Sequence, residues 1–377
     1  MRLPVIFTVV ALAIVVAFGA LNSGWMHSDT NTEEHSFRIL TVASGLEFPW
    51  SLAFLPDGSM LVTERPGRLR VIRDGALDPR PIPGVPHVRA REQGGLMDIA
   101  LHPKFAENRL LYLTYLKAEP GGATIALARA TFDGVSLSNV QDIFVADAAD
   151  RSDGNAGSRV LFGPDGMLYM SVGDRHDRKR PQSLSDHAGK IVRLRDDGSI
   201  PDDNPFVNQA GARPEIYAYG VRNPQGLAVN PLTGDILETE HGPQGGDELN
   251  LLRRGANYGW PAITYGQNYD GTVITNETAR PGMEQPLAYW VPSFGPSGLV
   301  IYTGNKFPKW RGNVFLGAMA GTHLRRLVLE GTRVVQQELL LRGLGARIRD
   351  VRQGPDGFLY LLNDSPHGSV RRLEPEP

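Results

Sequence analysis

The sequence has no cysteine among its 377 residues. That excludes disulfides, thiolate-bound zinc, iron–sulfur clusters and cysteine nucleophiles. It also lacks an excess of either charge: 39 Lys and Arg stand against 41 Asp and Glu, a formal charge of −2. A nucleic-acid clamp or a polybasic membrane binder needs a basic excess to meet phosphates, so neither class fits. After residue 36 no sustained 3.6-residue apolar period appears, which argues against a helical architecture. The chain contains no G-x-S-x-G elbow, P-loop or H-E-x-x-H. No G-x-G-x-x-G stands between a strand and a helix, so a Rossmann-type nicotinamide dehydrogenase does not fit.

What is present is ordinary globular hydrophobicity, 41%, with 43 Gly and 28 Pro, the mark of a chain rich in turns. Met1-Arg2 carries the only charge before His27, and Leu3 to Leu21 is almost wholly apolar, followed by small residues. Residues 1–21 are therefore expected to be a secretory signal peptide or, alternatively, an uncleaved N-terminal anchor. Residues 22–36 are expected to be a polar linker, and 37–377 one large domain. A signal peptide implies a periplasmic or secreted protein.

A repeat decides the fold. FLPDGSMLVTE at 54–64, FGPDGMLYMSVGD at 162–174 and QGPDGFLYLLND at 353–364 share one form, an apolar entry, Pro-Asp-Gly and an apolar exit. Looser copies are LHPKFAENRLLYLTY at 101–115, VNPLTGDILETEHG at 229–242 and VIYTGNKFPKWRGNVFLGAM at 300–319. Pro presets φ and Gly accepts positive φ, so each unit is a tight turn between two short strands. Six hairpins of this kind predict an all-β fold, a six-bladed β-propeller. A β-sandwich would explain the strands but not the recurrent turn. In a propeller, function is expected where long loops converge around the central channel.

Several segments outside the repeat carry chemistry. Arg222-Asn223-Pro224-Gln225-Gly226 sets a cation and two amides before one repeat strand, and Glu240 to Glu248 (EHGPQGGDE) follows it. Carbonyls and carboxylates on glycine-rich backbone suit a hard cation such as Ca²⁺, although an elaborate turn explains the same residues. Arg347 and Arg349 are two apart, so on a strand both guanidiniums project together and suit a polycarboxylate. The alternative is a solvated edge paired with Asp350 and Arg352. Gln93 lies just before the second unit and could reach the channel mouth.

Taken in order, FPWSLAFLPDG, QGGLMDIALHP, GKIVRLRDDGSIPDDNPF, YGVRNPQGLA, EHGPQGGDELN, NYGWP and RIRDVRQGPDG resemble the PQQ-dependent soluble aldose sugar dehydrogenases over roughly residues 38–374. The resemblance implies a six-bladed propeller that oxidises an aldose at its anomeric carbon to a lactone. It implies that Arg222 and Asn223 touch substrate and PQQ, that Arg347 and Arg349 hold PQQ carboxylates, and that Gln93 contacts the sugar. It implies one calcium at the carbonyls of Gly242 and Pro243, and a second at Glu248 and Tyr258. Electrons would pass to a membrane quinone pool or a soluble carrier.

Two positions depart from the family pattern. Asn155 stands in the slot of the proton-abstracting His, and an amide has no basic lone pair near neutral pH. Ala320 stands in the slot of a PQQ-binding Lys. Three readings follow: a dehydrogenase whose base is relocated to Asp153, His176 or His323; a sugar- or quinone-binding propeller with weak turnover; or a calcium-dependent lactonase.

Overall fold

The structure, a computed structural model, describes residues 32–376. The expected signal segment and most of the expected linker lie outside the described residues. Six antiparallel sheets of four strands each make the expected six-bladed propeller. Their innermost strands are Pro49–Phe54, Leu96–Leu101, Gly157–Phe162, Pro224–Val229, Pro296–Ile301 and Ile348–Gln353, and each contacts the next around a closed ring. The first strand, Phe37–Leu46, is the outermost strand of the last sheet. It pairs antiparallel with Gly368–Pro375, Phe37 opposite Pro375, so the two ends of the fold close the ring together.

The part of the expected linker that is described packs against the fifth blade. The His35 ring lies edge-on to Phe307 and Trp310, at 5.5 and 5.3 Å between centroids, and Glu34 pairs with Lys309 at 3.0 Å. The folded unit therefore starts a few residues before Phe37.

Each of the six repeat units joins an innermost strand to its neighbour. In the three Pro-Asp-Gly copies the Gly N–H closes the turn onto the carbonyl three residues back, at 2.9 Å (Leu55), 3.0 Å (Gly163) and 2.9 Å (Gly354). Gly58, Gly166 and Gly357 have φ of 85, 77 and 82°, the left-handed region that glycine enters at low cost. Apolar side chains fill the spaces between blades. Leu127 of the second blade, for example, is buried with Val160, Met170 and Val192 of the third.

A charge network plugs the channel. Arg159 reaches Asp350 at 3.0 Å and Asp98 at 3.6 Å, while Arg352 reaches the same two carboxylates at 2.8 and 3.1 Å. Ser51 donates to Asp98 at 2.5 Å, and the Arg159 guanidinium lies 4.2 Å from the Trp50 ring centroid. Two arginines against two aspartates neutralise each other, the condition under which buried charge is tolerable. Because antiparallel strands alternate in direction, innermost strands begin and second strands end at one rim, with the repeat turns at the other. The candidate residues flank the repeats and so collect at the first rim.

Candidate active site

A cavity at that rim is walled by Trp50, Gln93, Gln225, His241, Arg347 and Arg349 and has about 530 Å³ of space counted out to its mouth. Arg65, Met319 and Asp364 also line it. The structure thus brings together three expected residues, Gln93, Arg347 and Arg349, from two distant parts of the chain. Arg349 is buried, donates to Gln225 Oε1 at 3.2 Å and lies 5.7 Å from the Trp50 centroid. Both Arg349 and Arg347 lean on Asp364, at 3.5 and 3.4 Å. The alternative partners do not apply: Asp350 and Arg352 face the channel network. Arg349 Nε has no hydrogen-bond acceptor among the described residues. Burial pulls its guanidinium down to about 10, Asp364 opposing. Three arginines against one carboxylate leave the cavity cationic and suited to a polyanion.

Arg222 and Asn223 are both buried beside this cavity. The Glu240 carboxylate accepts the backbone N–H of Arg222 and, at 3.2 Å, that of Asn223, fixing the segment. Asn223 Oδ1 accepts from Gly157 N and Gln225 Nε2, each at 3.1 Å. Arg222 Nη1 donates to the carbonyls of His241 and Gly242 at 2.9 and 2.8 Å. His241 was not singled out in the sequence. Its Nε2 lies 2.6 Å from the Pro296 carbonyl, which fixes a proton there and leaves Nδ1 to receive Asn223 Nδ2 at 3.4 Å. Burial and the nearby Arg222 push its pKa down to about 3, so His241 is a neutral positioning group.

Asn155 is buried and held with φ of 44°. Its Nδ2 donates to Asp174 Oδ1 at 2.9 Å, and its backbone N–H reaches Gln93 Oε1 at 3.4 Å. Asp174 Oδ2 accepts from the Trp260 indole at 2.9 Å. Of the three residues named as relocated bases, buried Asp153 is taken up by Arg89 at 2.9 Å and Arg91 at 3.6 Å. His323 lies on the fifth blade, its Nδ1 2.9 Å from the Gly321 carbonyl and its ring against Phe294. His176 stands next to the Asn155 segment, its ring against Gly154. Ala320 is exposed beside cavity-lining Met319 and offers no charge there.

The expected metal residues are placed differently from one another. The Gly242 carbonyl accepts from Arg222 Nη1, so a cation there would share this oxygen with a guanidinium. Asp247 builds this loop by accepting the N–H groups of Gly242, Phe294 and Gly295 at 2.9, 2.7 and 3.0 Å. The Tyr258 hydroxyl donates to the Leu251 carbonyl at 2.7 Å and accepts from Arg253 N at 2.9 Å, so its phenol is not turned to a metal. Glu248 lies opposite Glu240, and Glu238 opposite Asn250, in adjacent strands, so all four share one sheet face. Asn250 Nδ2 reaches Glu238 at 3.1 Å and Glu248 at 3.3 Å, while buried Glu238 Oε1 and Asn250 Oδ1 have no hydrogen-bond partner among the described residues. Burial and mutual repulsion raise Glu238 and Glu240 well above the carboxylate range, and Glu248 to about 7. Among the described residues no group of three His, Asp or Glu side chains converges as a ready metal cage.

The site is thus a cationic, arginine-lined cavity at one mouth of a six-bladed propeller. Residues 46–372 match the model of the family described as Glucose / Sorbosone dehydrogenase. The chain is 40% identical to the aldose sugar dehydrogenase YliI of Escherichia coli over 88% of its own length and 91% of that protein's. The crystal structure of the soluble aldose sugar dehydrogenase from Escherichia coli in the apo-form superposes with a TM-score of 0.87, covering 90% of this chain and all of that one. The PQQ-bound aldose sugar dehydrogenase from Streptomyces coelicolor superposes with a TM-score of 0.77 at 28% identity, covering 92% and 99% of the two chains. The chain belongs to the Glucose / Sorbosone dehydrogenase family.

Proposed function

We propose that the protein is a PQQ-dependent oxidoreductase that converts aldoses to lactones. The observation that carries this reading is the buried, acceptor-poor Arg349 beside Arg347 and Arg65 in one cavity. These donors fit the carboxylates of PQQ, and Trp50 floors the cavity beneath them. PQQ, when bound, supplies a two-electron acceptor for hydride from the sugar's anomeric carbon.

The chain's own residues do the rest. Arg347 and Arg349 grip carboxylates, and Asn223 and Arg222 mark the inner wall, where a guanidinium would stabilise developing negative charge. Gln93 at the mouth meets sugar hydroxyls, and Asn155, fixed by Asp174, orients the hydroxyl that is oxidised. Calcium fits best at Glu248 with Glu238 and the Asn250 carbonyl, where two orphaned buried oxygens await a hard cation. At Gly242 and Pro243 a cation would share the Gly242 carbonyl with Arg222. The deciding experiment incubates purified protein with PQQ and Ca²⁺. A bound-quinone absorbance that bleaches on adding glucose supports the reading, absorbance without bleaching indicates a binding protein, and no uptake refutes it.

A further inference from the structure

Three consecutive residues, Asp174, Arg175 and His176, seize the segment that carries Asn155. Asp174 takes the Asn155 amide at 2.9 Å. Arg175, fully buried, donates to the carbonyls of Gly154 and Ser152. The His176 ring lies against Gly154: a Cβ there would sit 2.6 Å from His176 Nε2, whereas Gly154 needs no left-handed backbone. Gly154 is therefore a glycine for the room it gives this imidazole. Asn155, Arg175 and His176 all hold positive φ, at 44, 56 and 62°, a cluster of non-glycine strain of the kind that packed functional loops retain.

Resting on the dehydrogenase reading, we propose that His176 is the general base of this enzyme, acting from the neighbouring loop where Asn155 cannot. His176 is exposed beside Gly154, two residues from cavity-lining Ala156, and no hydrogen bond among the described residues pins its ring nitrogens, so the imidazole can turn to a sugar hydroxyl. In the step, the anomeric O–H gives its proton to the imidazole. The anomeric C–H leaves as hydride to the quinone, and the C=O of the lactone forms. The aldose is oxidised by two electrons and the quinone is reduced by two. Asn155 holds the hydroxyl while His176 takes its proton.

The charges facing the imidazole keep it neutral. Packing against Gly154 lowers its pKa, Arg222 and Arg175 lower it further, and Asp174 and Asp150 oppose them. A neutral ring is the form a base requires, and this downward shift favours it.

The test loads wild type and His176→Asn with PQQ and Ca²⁺ and follows bleaching by glucose from pH 5 to 9. In parallel, nitrogen NMR of the His176 ring in unloaded wild type gives its own pKa. We expect both proteins to take up quinone equally and the variant to turn over roughly 10²- to 10⁴-fold more slowly. The acid limb of kcat/KM should match the NMR pKa in wild type and vanish in the variant, and added imidazole should restore part of the rate. A variant that bleaches at the wild-type rate with the same acid limb, or a ring still protonated at pH 7.5, overturns the assignment and leaves the dehydrogenase reading standing. Absence of quinone uptake by wild type overturns both.

Discussion

Asn155 Nδ2 and Asp174 Oδ1 form a buried hydrogen bond of 2.9 Å at the lip of the cavity. Asp174 is anchored on its other oxygen by the Trp260 indole and on the same Oδ1 by the His176 backbone N–H, each at 2.9 Å, so the carboxylate is a fixed acceptor and residue 155 is held by it. A histidine at 155 would find the partner that orients an imidazole already in place. Asn155→His introduced into His176→Asn should therefore restore sugar oxidation, by about 10² or more over the single variant. Equal rates for the single and double variants, measured by quinone bleaching, would show that Asp174 does not present residue 155 to the substrate.

Arg347 and Arg349 differ in burial, which separates their expected effects. Arg349 is buried and Arg347 has a half-exposed side chain, although both lean on Asp364. A buried charge paired with an anionic ligand is worth about 2–5 kcal/mol on truncation, and an exposed one well under about 1 kcal/mol. Arg349→Ala should abolish measurable PQQ uptake, and Arg347→Ala should weaken it several-fold. Equilibrium dialysis against PQQ checks both, and an unaltered affinity in Arg349→Ala would remove the basis for placing the cofactor here.

Much of this was legible in the sequence. The Pro-Asp-Gly units mark the turns at one rim of the propeller, so the residues immediately outside each unit, such as Gln93 and the Arg222–Asn223 pair, had to lie at the other. Spacing along the chain also foretold that Arg347 and Arg349 project to one place, and both line the cavity. The ring closure by Phe37–Leu46 was not legible, because an edge strand carries no repeat turn. His241 and Glu238 were missed for a related reason. Their roles come from contacts between strands, with Pro296 and Asn223 for the one and Asn250 for the other, and no local pattern encodes such pairings. The contact of Arg222 with the Gly242 carbonyl was not legible, because the two lie twenty residues apart in the chain.

The channel network predicts a stability defect far from the chemistry. A Cβ at Gly298 would lie 2.3 Å from Asp350 Oδ1 and 2.7 Å from the Asp350 Cα, which is backbone and cannot swing away. Gly298→Ala should force the fifth and sixth innermost strands apart and disturb the ion pair with Arg159. Overpacking of this kind costs about 1–3 kcal/mol, with more expected where a buried ion pair is strained. Urea denaturation of unloaded protein should show a lower midpoint. An unchanged midpoint would mean that the channel is loosely packed.

The carboxylates of the fourth blade predict an unusual pH response. Glu238, Glu240 and Glu248 titrate above their unfolded value of about 4.3, Glu248 at about 7, because burial disfavours their charge. Between those limits the folded protein holds protons that the unfolded chain has released. Stability contributed by these groups is thus greatest below about pH 4.3 and falls as pH rises toward 7. In EDTA the thermal midpoint should decline over pH 5 to 7, superimposed on the titration of the other groups. A cation at Glu248 would favour the ionised forms and reverse the trend, so Ca²⁺ should raise the midpoint more at pH 7.5 than at pH 5.5. Glu238→Gln should reduce both the decline in EDTA and the gain with Ca²⁺. The same calcium effect at both pH values would place the ion away from these glutamates. Because Glu240 also holds the backbone of Arg222 and Asn223, calcium at this face would connect metal binding to the order of the inner wall.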